Sequence, residues 1–464
     1  MSFQKDSELD SIYQNVFEFI EKEKLLAGVS NLLLAVSGGP DSLAMLEILK
    51  HLSQDFDFTI SVAHFDHKLR DDSADDLIFV KDLCVRSDIK FISGEGDVRE
   101  AMKASGGGVE EIARRLRYDF LAFAAERHSA EAVATGHTFE DQAETVLQRV
   151  LRGSGIRGIQ GILPESSLPS APSIRLIRPL LEIGHAETEA VCKVMNLVPR
   201  RDVSNEAMAT QRNRLRSIIF PSLRIENPSV EDALGTLASN ARDLFKIVTQ
   251  MADAVQPVRR IRSQSALYEA KPFEKLPTEA KVLIIEREAI VLQSEIDVNR
   301  TRLDNLRNIL EKGTGKVVFG AIELEISVGI VRIGKPLSEL VKEKKEYKEC
   351  IVNLPGITAY NDLEINLSSS VHEDPSSYEK IVGGPFQGAL RLRLINASDQ
   401  MLFHEQYRKI NEIFSLLRIP TWDRREMIVL ADLEYVYAII GRDHLIIEKV
   451  LGDNPLYLQV KYTN

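Results

Sequence analysis

The chain has 464 residues, of which 44% are hydrophobic, so it is long enough for two to four domains with sizeable cores. Its formal net charge of −11 argues against nonspecific nucleic-acid binding by the whole surface, although it does not exclude a local basic face. No apolar run is long enough to cross a membrane and the polar N-terminus is not typical of a signal peptide, so we expect a cytoplasmic protein without a membrane anchor.

Residues 30–150 alternate between short apolar strands and helices. The predicted strands are 32–36, 58–64, 90–93 and 132–135, and the predicted helices are 41–52, 73–87, 108–128 and 139–151. This order predicts an α/β fold with a doubly wound parallel sheet. In such a fold, ligands bind at the carboxyl ends of the strands, so functional residues are expected directly after each strand.

The segment Ser-Gly-Gly-Pro-Asp-Ser at 37–42 follows the first predicted strand. Its glycines allow a tight turn that leaves backbone N–H groups uncovered, and Pro40 suits the first turn of a helix. Free amides at the positive end of a helix dipole bind anions, so we expect phosphate here. The loop is not a Walker A motif, because Asp41 and Ser42 stand where that motif has Lys and Ser/Thr.

Polar motifs also follow the second and fourth predicted strands, as HFDHKLR at 64–70 and ATGHTFEDQAET at 134–145. In the latter, Asp141 and Glu144 are three residues apart and share one face of a helix. Two carboxylates in this arrangement can hold an ammonium group or Mg²⁺. A solvated acidic first turn, which the helix dipole favours, explains the same spacing equally well.

Arginines are concentrated in three segments of the N-terminal half. Glu110, Arg114 and Arg117 share one helical face. An ordinary ion pair on the helix surface is the alternative interpretation of this spacing. RVLRGSGIRGIQG at 149–161 combines arginines with a glycine loop, which favours phosphate contact, and 202–216 ends in a basic helix. These segments predict a local basic face on an acidic chain.

The remaining segments give structural predictions only. Residues 163–174 are rich in Pro and Ser and predict an exposed loop, whereas 182–196 predicts a short helix. Periodic segments at 229–255 and 277–312 indicate helices, and the alternation from residue 316 onward indicates β-structure. The GTGK sequence at 313–316 predicts a helix end and turn, because no strand precedes it.

Eight motifs occur in order: SGGxDS (37–42), HxDHxLR (64–70), ExxARxxRY (110–118), ATGHxxxDQAET (134–145), RGSGxxGxxG (152–161), RPLL (178–181), DxSN (202–205) and RNxxR (212–216). With this series the chain resembles the tRNA(Ile)-lysidine synthetases, which are PP-loop (N-type) ATP pyrophosphatases. The resemblance covers most of residues 30–225 and is fainter over 390–425. There Ser398 precedes Asp399, whereas the family usually has Gly before the Asp.

The resemblance implies a two-step ligation. ATP adenylates the C2 oxygen of the wobble cytidine in a tRNA(Ile) with a CAU anticodon. The ε-amine of free lysine then displaces AMP, and the resulting lysidine changes the identity of the tRNA from methionine to isoleucine. The implied ligands are ATP, Mg²⁺, free L-lysine and tRNA(Ile), with a homodimer as one option for the assembly.

The resemblance also implies roles for the motif residues. The ATP-binding residues would be Ser37, Gly38, Gly39, Pro40, Asp41 and Ser42, and Asp41 would also place Mg²⁺. The catalytic residues would be Asp41, Arg114, His137 and Arg212. Lysine would be bound by Asp141 and Glu144, and tRNA by Arg152, Arg157, Arg214 and Arg216.

Three domains follow from the change of pattern along the chain and from the resemblance. Residues 1–225 would form the PP-loop catalytic domain and residues 226–314 a small helical domain. Residues 315–464 would form an α+β domain that binds tRNA.

Two other functions remain open at this point. The first is a PP-loop tRNA thiolase, but such enzymes need paired cysteines, whereas Cys84, Cys192 and Cys350 are widely scattered. The second is a noncatalytic ATP-binding sensor, which would need neither the carboxylate pair nor two further domains.

Overall fold

The computed structural model shows two compact units, Met1–Lys246 and Ile247–Asn464. The residues that it describes are 2–68, 73–105, 108–200, 211–261, 264–337, 348–361, 363–368, 379–381, 388–424, 427–441, 444–447 and 456–462. Among these residues, none of the helices combines the length and the apolar character that a membrane span requires.

The first unit is built on a six-stranded sheet. Its strands are β1 (Asn31–Ala35), β2 (Thr59–Asp66), β3 (Lys90–Glu95), β4 (Ala132–Thr135), β5 (Glu165–Leu168) and β6 (Ala171–Ile177), in the order β3-β2-β1-β4-β6-β5. All neighbours are parallel except β5, which is antiparallel to β6. The predicted α/β fold is therefore confirmed, and the topological switch point lies between β1 and β4.

The centre of this sheet is buried on both faces, as its uninterrupted apolar sequence predicts. Leu32 and Leu34 pack into one core, whereas Leu33 points into a second core on the opposite face. The helices of this unit are α1 (Ser2–Glu23), α2 (Pro40–Leu52), α3 (Ser73–Arg86), α4 (Val98–Ser105), α5 (Val109–Arg127), α6 (Phe139–Leu151), α7 (Ile156–Ile159), α8 (His185–Val194), α9 (Gln211–Arg214), a π-helical turn (Leu215–Ile219), α10 (Phe220–Glu226) and α11 (Val230–Ala254).

The segment 163–174 differs from the predicted exposed loop. It forms β5 and the start of β6, an antiparallel pair at the edge of the sheet. Leu168, Ala171 and Ile174 are buried in the core that α5 also lines. Pro172 is tolerated because the start of β6 pairs only with the edge strand β5.

The second unit is rich in short strands. They are β7 (Arg259–Ile261), β8 (Ser265–Glu269), β9 (Gly315–Phe319), β10 (Ile322–Ser327), β11 (Ile330–Gly334), β12 (Cys350–Ile351), β13 (Gly356–Tyr360), β14 (Leu363–Ser368), β15 (Glu379–Ile381), β16 (Arg391–Leu394), β17 (Gln400–Phe403), β18 (Gln406–Lys409), β19 (Ile428–Ala431), β20 (Val436–Gly441), β21 (His444–Ile447) and β22 (Leu456–Tyr462). The helices are α12 (Ala270–Lys275), α13 (Thr278–Val291), α14 (Arg300–Lys312), α15 (Ile410–Leu416) and α16 (Thr421–Arg424).

These strands form three sheets in the described part of the unit. Their orders are β7-β8-β11-β10-β9, then β12-β16-β19-β20-β17-β18 with β21 beside β20, and β13-β14-β22-β15. The first of these sheets spans the predicted domain boundary at 314/315, because β8 pairs with β11. Gly313 ends α14 with a φ of 67°, as the sequence predicts. The division into three domains stays a prediction.

Candidate active site

The loop after β1 turns sharply into α2, with Gly38 at a φ of 91° and Pro40 in the first helical turn. The expected uncovered amides are not all free. The N–H groups of Ser37 and Gly38 each donate to Ser42 Oγ at 3.2 Å, and this hydroxyl donates to the Gly39 carbonyl at 3.0 Å. Ser42 is buried, so in this structure its hydroxyl shapes the loop from within.

Asp41 lies beside this loop and contacts two side chains of α8. Its Oδ1 accepts a hydrogen bond from Thr188 Oγ1 at 2.7 Å and lies 3.1 Å from His185 Nδ1. The hydrogen bond to Asp41 raises the pKa of His185, although burial opposes the shift. Neither contact was found from the sequence, because both residues lie more than a hundred positions away.

The turn between β4 and α6 lies directly against the start of α2. A Cβ atom at Gly136 would be 3.1 Å from the backbone carbonyl group of Asp41, so the two turns approach as closely as glycine allows. Glu140 lies in the first turn of α6. Its carboxylate accepts a hydrogen bond from the backbone N–H of His185, with N···O distances of 3.1 Å to Oε1 and 3.0 Å to Oε2. The loops that follow β1 and β4 and the start of α8 therefore form one continuous site at the switch point.

Asp141 and Glu144 are buried and bind two arginines, so they are not a solvated acidic turn. Asp141 Oδ1 accepts hydrogen bonds from Arg212 at 2.6 Å and from Arg216 at 2.8 Å. Glu144 Oε2 accepts from Arg212 Nε at 2.8 Å, and its Oε1 accepts from Arg216 Nε. The pair therefore forms buried ion pairs with two arginines of the chain. The structure brings the residues expected to bind lysine together with Arg212, expected to be catalytic, and Arg216, expected to contact tRNA.

Burial and neighbouring charges shift the pKa values of Asp141 and His137. Burial alone would raise the pKa of Asp141, but Arg212, His137 and Arg216 outweigh it and lower the pKa. His137 lies in the turn after β4, with Nδ1 2.9 Å from Thr135 Oγ1. Burial, assisted by nearby arginines, lowers the pKa of His137 to about 3, so the ring is neutral at physiological pH.

Arg114 and Arg117 both contact the Tyr118 ring, with their guanidinium carbons 4.8 and 5.5 Å from its centroid. The side chain of Arg114 is exposed, whereas Nε of Arg117 is buried and lacks a hydrogen-bond partner in the described part of the chain. Arg117 also lowers the pKa values of His67 and His137 electrostatically, after burial as the main cause. Of the two arginines, Arg117 is therefore the one that acts electrostatically on these histidines, and the catalytic role expected for Arg114 stays a prediction.

The HFDHKLR motif is described only as far as Lys68. His64 is buried with Nδ1 2.9 Å from the Val36 carbonyl, and burial lowers its pKa. Asp66 accepts from Lys68 N at 2.8 Å and from Ser73 Oγ at 3.0 Å. Leu69, Arg70 and the DxSN motif at 202–205 lie outside the described residues.

The other arginines expected to bind tRNA lie at the surface. Arg152, Arg157 and Arg214 are exposed, and Arg152 donates to Gln211 Oε1 at 3.1 Å. Arg149 instead shapes the glycine loop, because its Nη1 donates to the carbonyls of Gly158 and Gly161 at 2.7 Å each. Arg149 therefore stabilises the glycine loop, whereas Arg152 and Arg157 face solvent.

Asp41 fits a magnesium site that ATP would complete. Mg²⁺ is commonly held by one or two carboxylates together with substrate phosphates. No cluster of three or more His, Cys, Asp or Glu side chains able to hold a metal occurs among the described residues. The donor set that fits is therefore the Asp41 carboxylate together with phosphate oxygens.

Residues 7–223 match the PP-loop domain family, in agreement with the sheet order and the loop after β1. The first unit is therefore a PP-loop domain. A U34-tRNA thiolase from Methanococcus maripaludis is 14% identical, with a TM-score of 0.42 over 51% of this chain and 79% of that one, a likeness too distant to bear on function.

Along its sequence the chain is similar to proteins named tRNA(Ile)-lysidine synthase. It is 32% identical to that of Dehalococcoides mccartyi over 65% of each chain, and 36% identical to that of Geobacillus kaustophilus over 56% of each chain. The match to the Clostridioides difficile protein is 26% identical and covers 92% of this chain and 94% of that protein. The first two matches thus span less than two thirds of those relatives. The resemblance to this group of PP-loop ligases is confirmed.

Proposed function

We propose that the chain ligates lysine to C2 of the wobble cytidine of a tRNA(Ile) with a CAU anticodon, through an adenylated intermediate. One observation carries the proposal. A PP loop and a buried carboxylate pair, which forms ion pairs with guanidinium groups of the chain, occupy adjacent turns at the switch point of one sheet. The names of the relatives supply the substrate class, and a cytoplasmic location follows from that substrate.

In the first step, the PP loop binds the pyrophosphate part of ATP through Ser37, Gly38, Gly39 and Ser42. Asp41 would hold Mg²⁺ against the phosphates, which offsets charge on the leaving group. Ser42 would exchange its contacts within the loop for phosphate oxygens. Arg117 and Arg212 would stabilise the negative charge that grows during adenylation. Nε of Arg117 has no hydrogen-bond partner among the described residues.

In the second step, Asp141 and Glu144 bind the ammonium groups of lysine. The ε-ammonium group gives up a proton to solvent, the neutral ε-amine attacks C2 of the adenylated cytidine, and the C2–O bond breaks so that AMP leaves. Neutral His137 lines the pocket without adding a competing positive charge. The exposed Arg152, Arg157 and Arg214 would contact anticodon-loop phosphates, which leaves the cytidine free to enter the site.

The thiolase alternative is weaker at this site. Cys192 is the thiol beside the loop, with Sγ 3.4 Å from the Pro40 carbonyl. Burial raises its pKa to about 11, so it is a thiol and a poor nucleophile at neutral pH. The sensor alternative leaves the buried carboxylate pair of Asp141 and Glu144 without a purpose.

Lysine-dependent AMP formation with the tRNA tests the proposal. Asp141→Asn and Glu144→Gln should each raise KM for lysine about ten- to a hundredfold, because a lost charge-assisted contact costs roughly 1.5–3 kcal/mol. KM for ATP should change little. Glu126→Gln, an exposed site on α5, is the matched control. Normal lysine dependence combined with failed ATP binding would assign the carboxylates to the metal instead.

A further inference from the structure

We propose that Arg212 and Arg216 act as internal cations that block the lysine site until RNA binds their segment, so that lysine and tRNA bind cooperatively. This inference rests on the proposed function, because it concerns regulation of the same carboxylate pair. It assigns Arg216 to the closed state of the lysine site as well as to RNA contact.

Each oxygen atom of the two carboxylates already accepts at least one hydrogen bond from the chain. Arg212 and Arg216 share Asp141 Oδ1, and each occupies one oxygen of Glu144. The remaining oxygen, Asp141 Oδ2, accepts the backbone N–H of Thr138 at 3.1 Å. An incoming ammonium group therefore finds every carboxylate oxygen already in a hydrogen bond, and lysine must compete with the two arginines for these acceptors.

The exchange keeps the two buried carboxylates paired with cations. Asp141 and Glu144 are only 8% and 4% exposed, so removing both guanidinium groups without replacement would leave two buried, unpaired anions. The ammonium groups of lysine can replace the guanidinium groups at these carboxylates. Asp141 and Glu144 are thus paired either with the arginines of the chain or with bound lysine, and they are not left without a cation.

The segment that carries the arginines, residues 211–226, is suited to a change of conformation. Arg216 lies within the π-helical turn Leu215–Ile219, a geometry that is frequent at functional sites and hinges. In α9, the π-helical turn and α10, Leu215 and Phe220 are the buried residues, and they contribute to a small cluster with Ala143. With so little buried surface, the segment opens at a lower free-energy cost than the central sheet.

An RNA backbone is the partner that fits this segment. Arg212, Arg214, Arg216 and Arg224 place four cations within thirteen residues, and the side chains of Arg214 and Arg216 are exposed. Phosphates offer these guanidinium groups the same bidentate contacts that the two carboxylates provide. RNA binding would release Asp141 and Glu144, and by linkage lysine would strengthen RNA binding by the same factor.

Equilibrium dialysis of radiolabelled lysine against the full chain, without ATP, tests the proposal. Arg216→Met removes one internal cation but keeps an apolar stem, and it should tighten lysine binding about tenfold in the absence of RNA. Arg86→Met is the matched control, because exposed Arg86 donates to the Asp82 carbonyl within α3, outside the site, and it should leave lysine binding unchanged. Circular dichroism verifies that both variants are folded.

A second arm needs no variant. Unmodified tRNA(Ile) transcript should tighten lysine binding to the wild type about tenfold or more, and should have a smaller effect on Arg216→Met. Lysine binding by Arg216→Met that is equal to or weaker than wild type, or an RNA effect of equal size in both proteins, overturns the proposal. Absence of lysine binding in every form, with ATP binding intact, would instead refute the proposed function.

Discussion

Asp41 is held by residues that are remote in the sequence. Thr188, which is fully buried, and His185 contact the same oxygen, Oδ1, from the first turn of α8. Among the described residues, these are the side chains that hydrogen-bond to this carboxylate. We therefore interpret both as positioning residues, which fix Asp41 so that its other oxygen can serve a metal–phosphate complex.

Thr188→Val tests this interpretation, because it keeps the shape of the side chain and removes the hydroxyl group. A hydrogen bond to a charged group contributes roughly 1.5–3 kcal/mol, so KM for ATP and the Mg²⁺ requirement should rise about tenfold. KM for lysine should not change. Thr188→Ser is the control that retains the hydroxyl group and the activity. An equal rise in both KM values would indicate general damage to the site rather than loss of positioning.

The extent to which the sequence predicts a residue's environment depends on how local its partners are. Asp141 and Glu144 were predicted as a pair because helical spacing fixes their shared face. Their partners Arg212 and Arg216 were placed in other roles, since about seventy residues separate them from α6. The difference between Arg114, which is exposed, and Arg117, whose Nε is buried, likewise depends on tertiary packing, and helical spacing does not contain that information.

At the scale of elements, uninterrupted apolar strands were the most predictable feature. The run that forms β1 is recognised because a central parallel strand must be apolar on both faces. The edge hairpin β5–β6 was missed because its buried residues Leu168, Ala171 and Ile174 are three positions apart, with Pro and Ser between them, and do not show the alternation of a regular strand. Contacts between turns were equally invisible, and the approach of Gly136 to Asp41 is known only from the structure.

Gly136→Ala should destabilise the PP-loop domain by roughly 1–3 kcal/mol, the usual cost of overpacking. The new methyl group would lie 3.1 Å from backbone atoms of Asp41, and backbone cannot move aside as a flexible side chain can. Urea denaturation measures the effect. Gly108→Ala at the start of α5 is the control, because a methyl group there has no atom within 4 Å. Equal stability of Gly136→Ala and wild type would contradict the close approach.

At the scale of the whole molecule, the second unit is the candidate tRNA-gripping region. Under the proposed function an acidic chain binds a polyanion, which requires local basic surfaces, and we expect the second unit to supply some of them. The five-stranded sheet limits how this can be tested. A cut at 314/315 would remove β9, β10 and β11, including Phe319 and Leu324, and expose their remaining core partners Tyr268 and Phe273.

Removal of residues 338–464 preserves that sheet and is therefore the sharper truncation. If this region neutralises tRNA phosphates, the shortened protein should bind tRNA(Ile) more weakly, and its affinity should depend less steeply on salt, by somewhat under one unit of slope per lost contact. ATP affinity should be retained, because the PP loop lies in the first unit. Filter binding at several salt concentrations measures both quantities, and circular dichroism shows whether the truncated chain is folded. A folded truncation with unchanged affinity and slope would mean that residues 338–464 do not grip the tRNA.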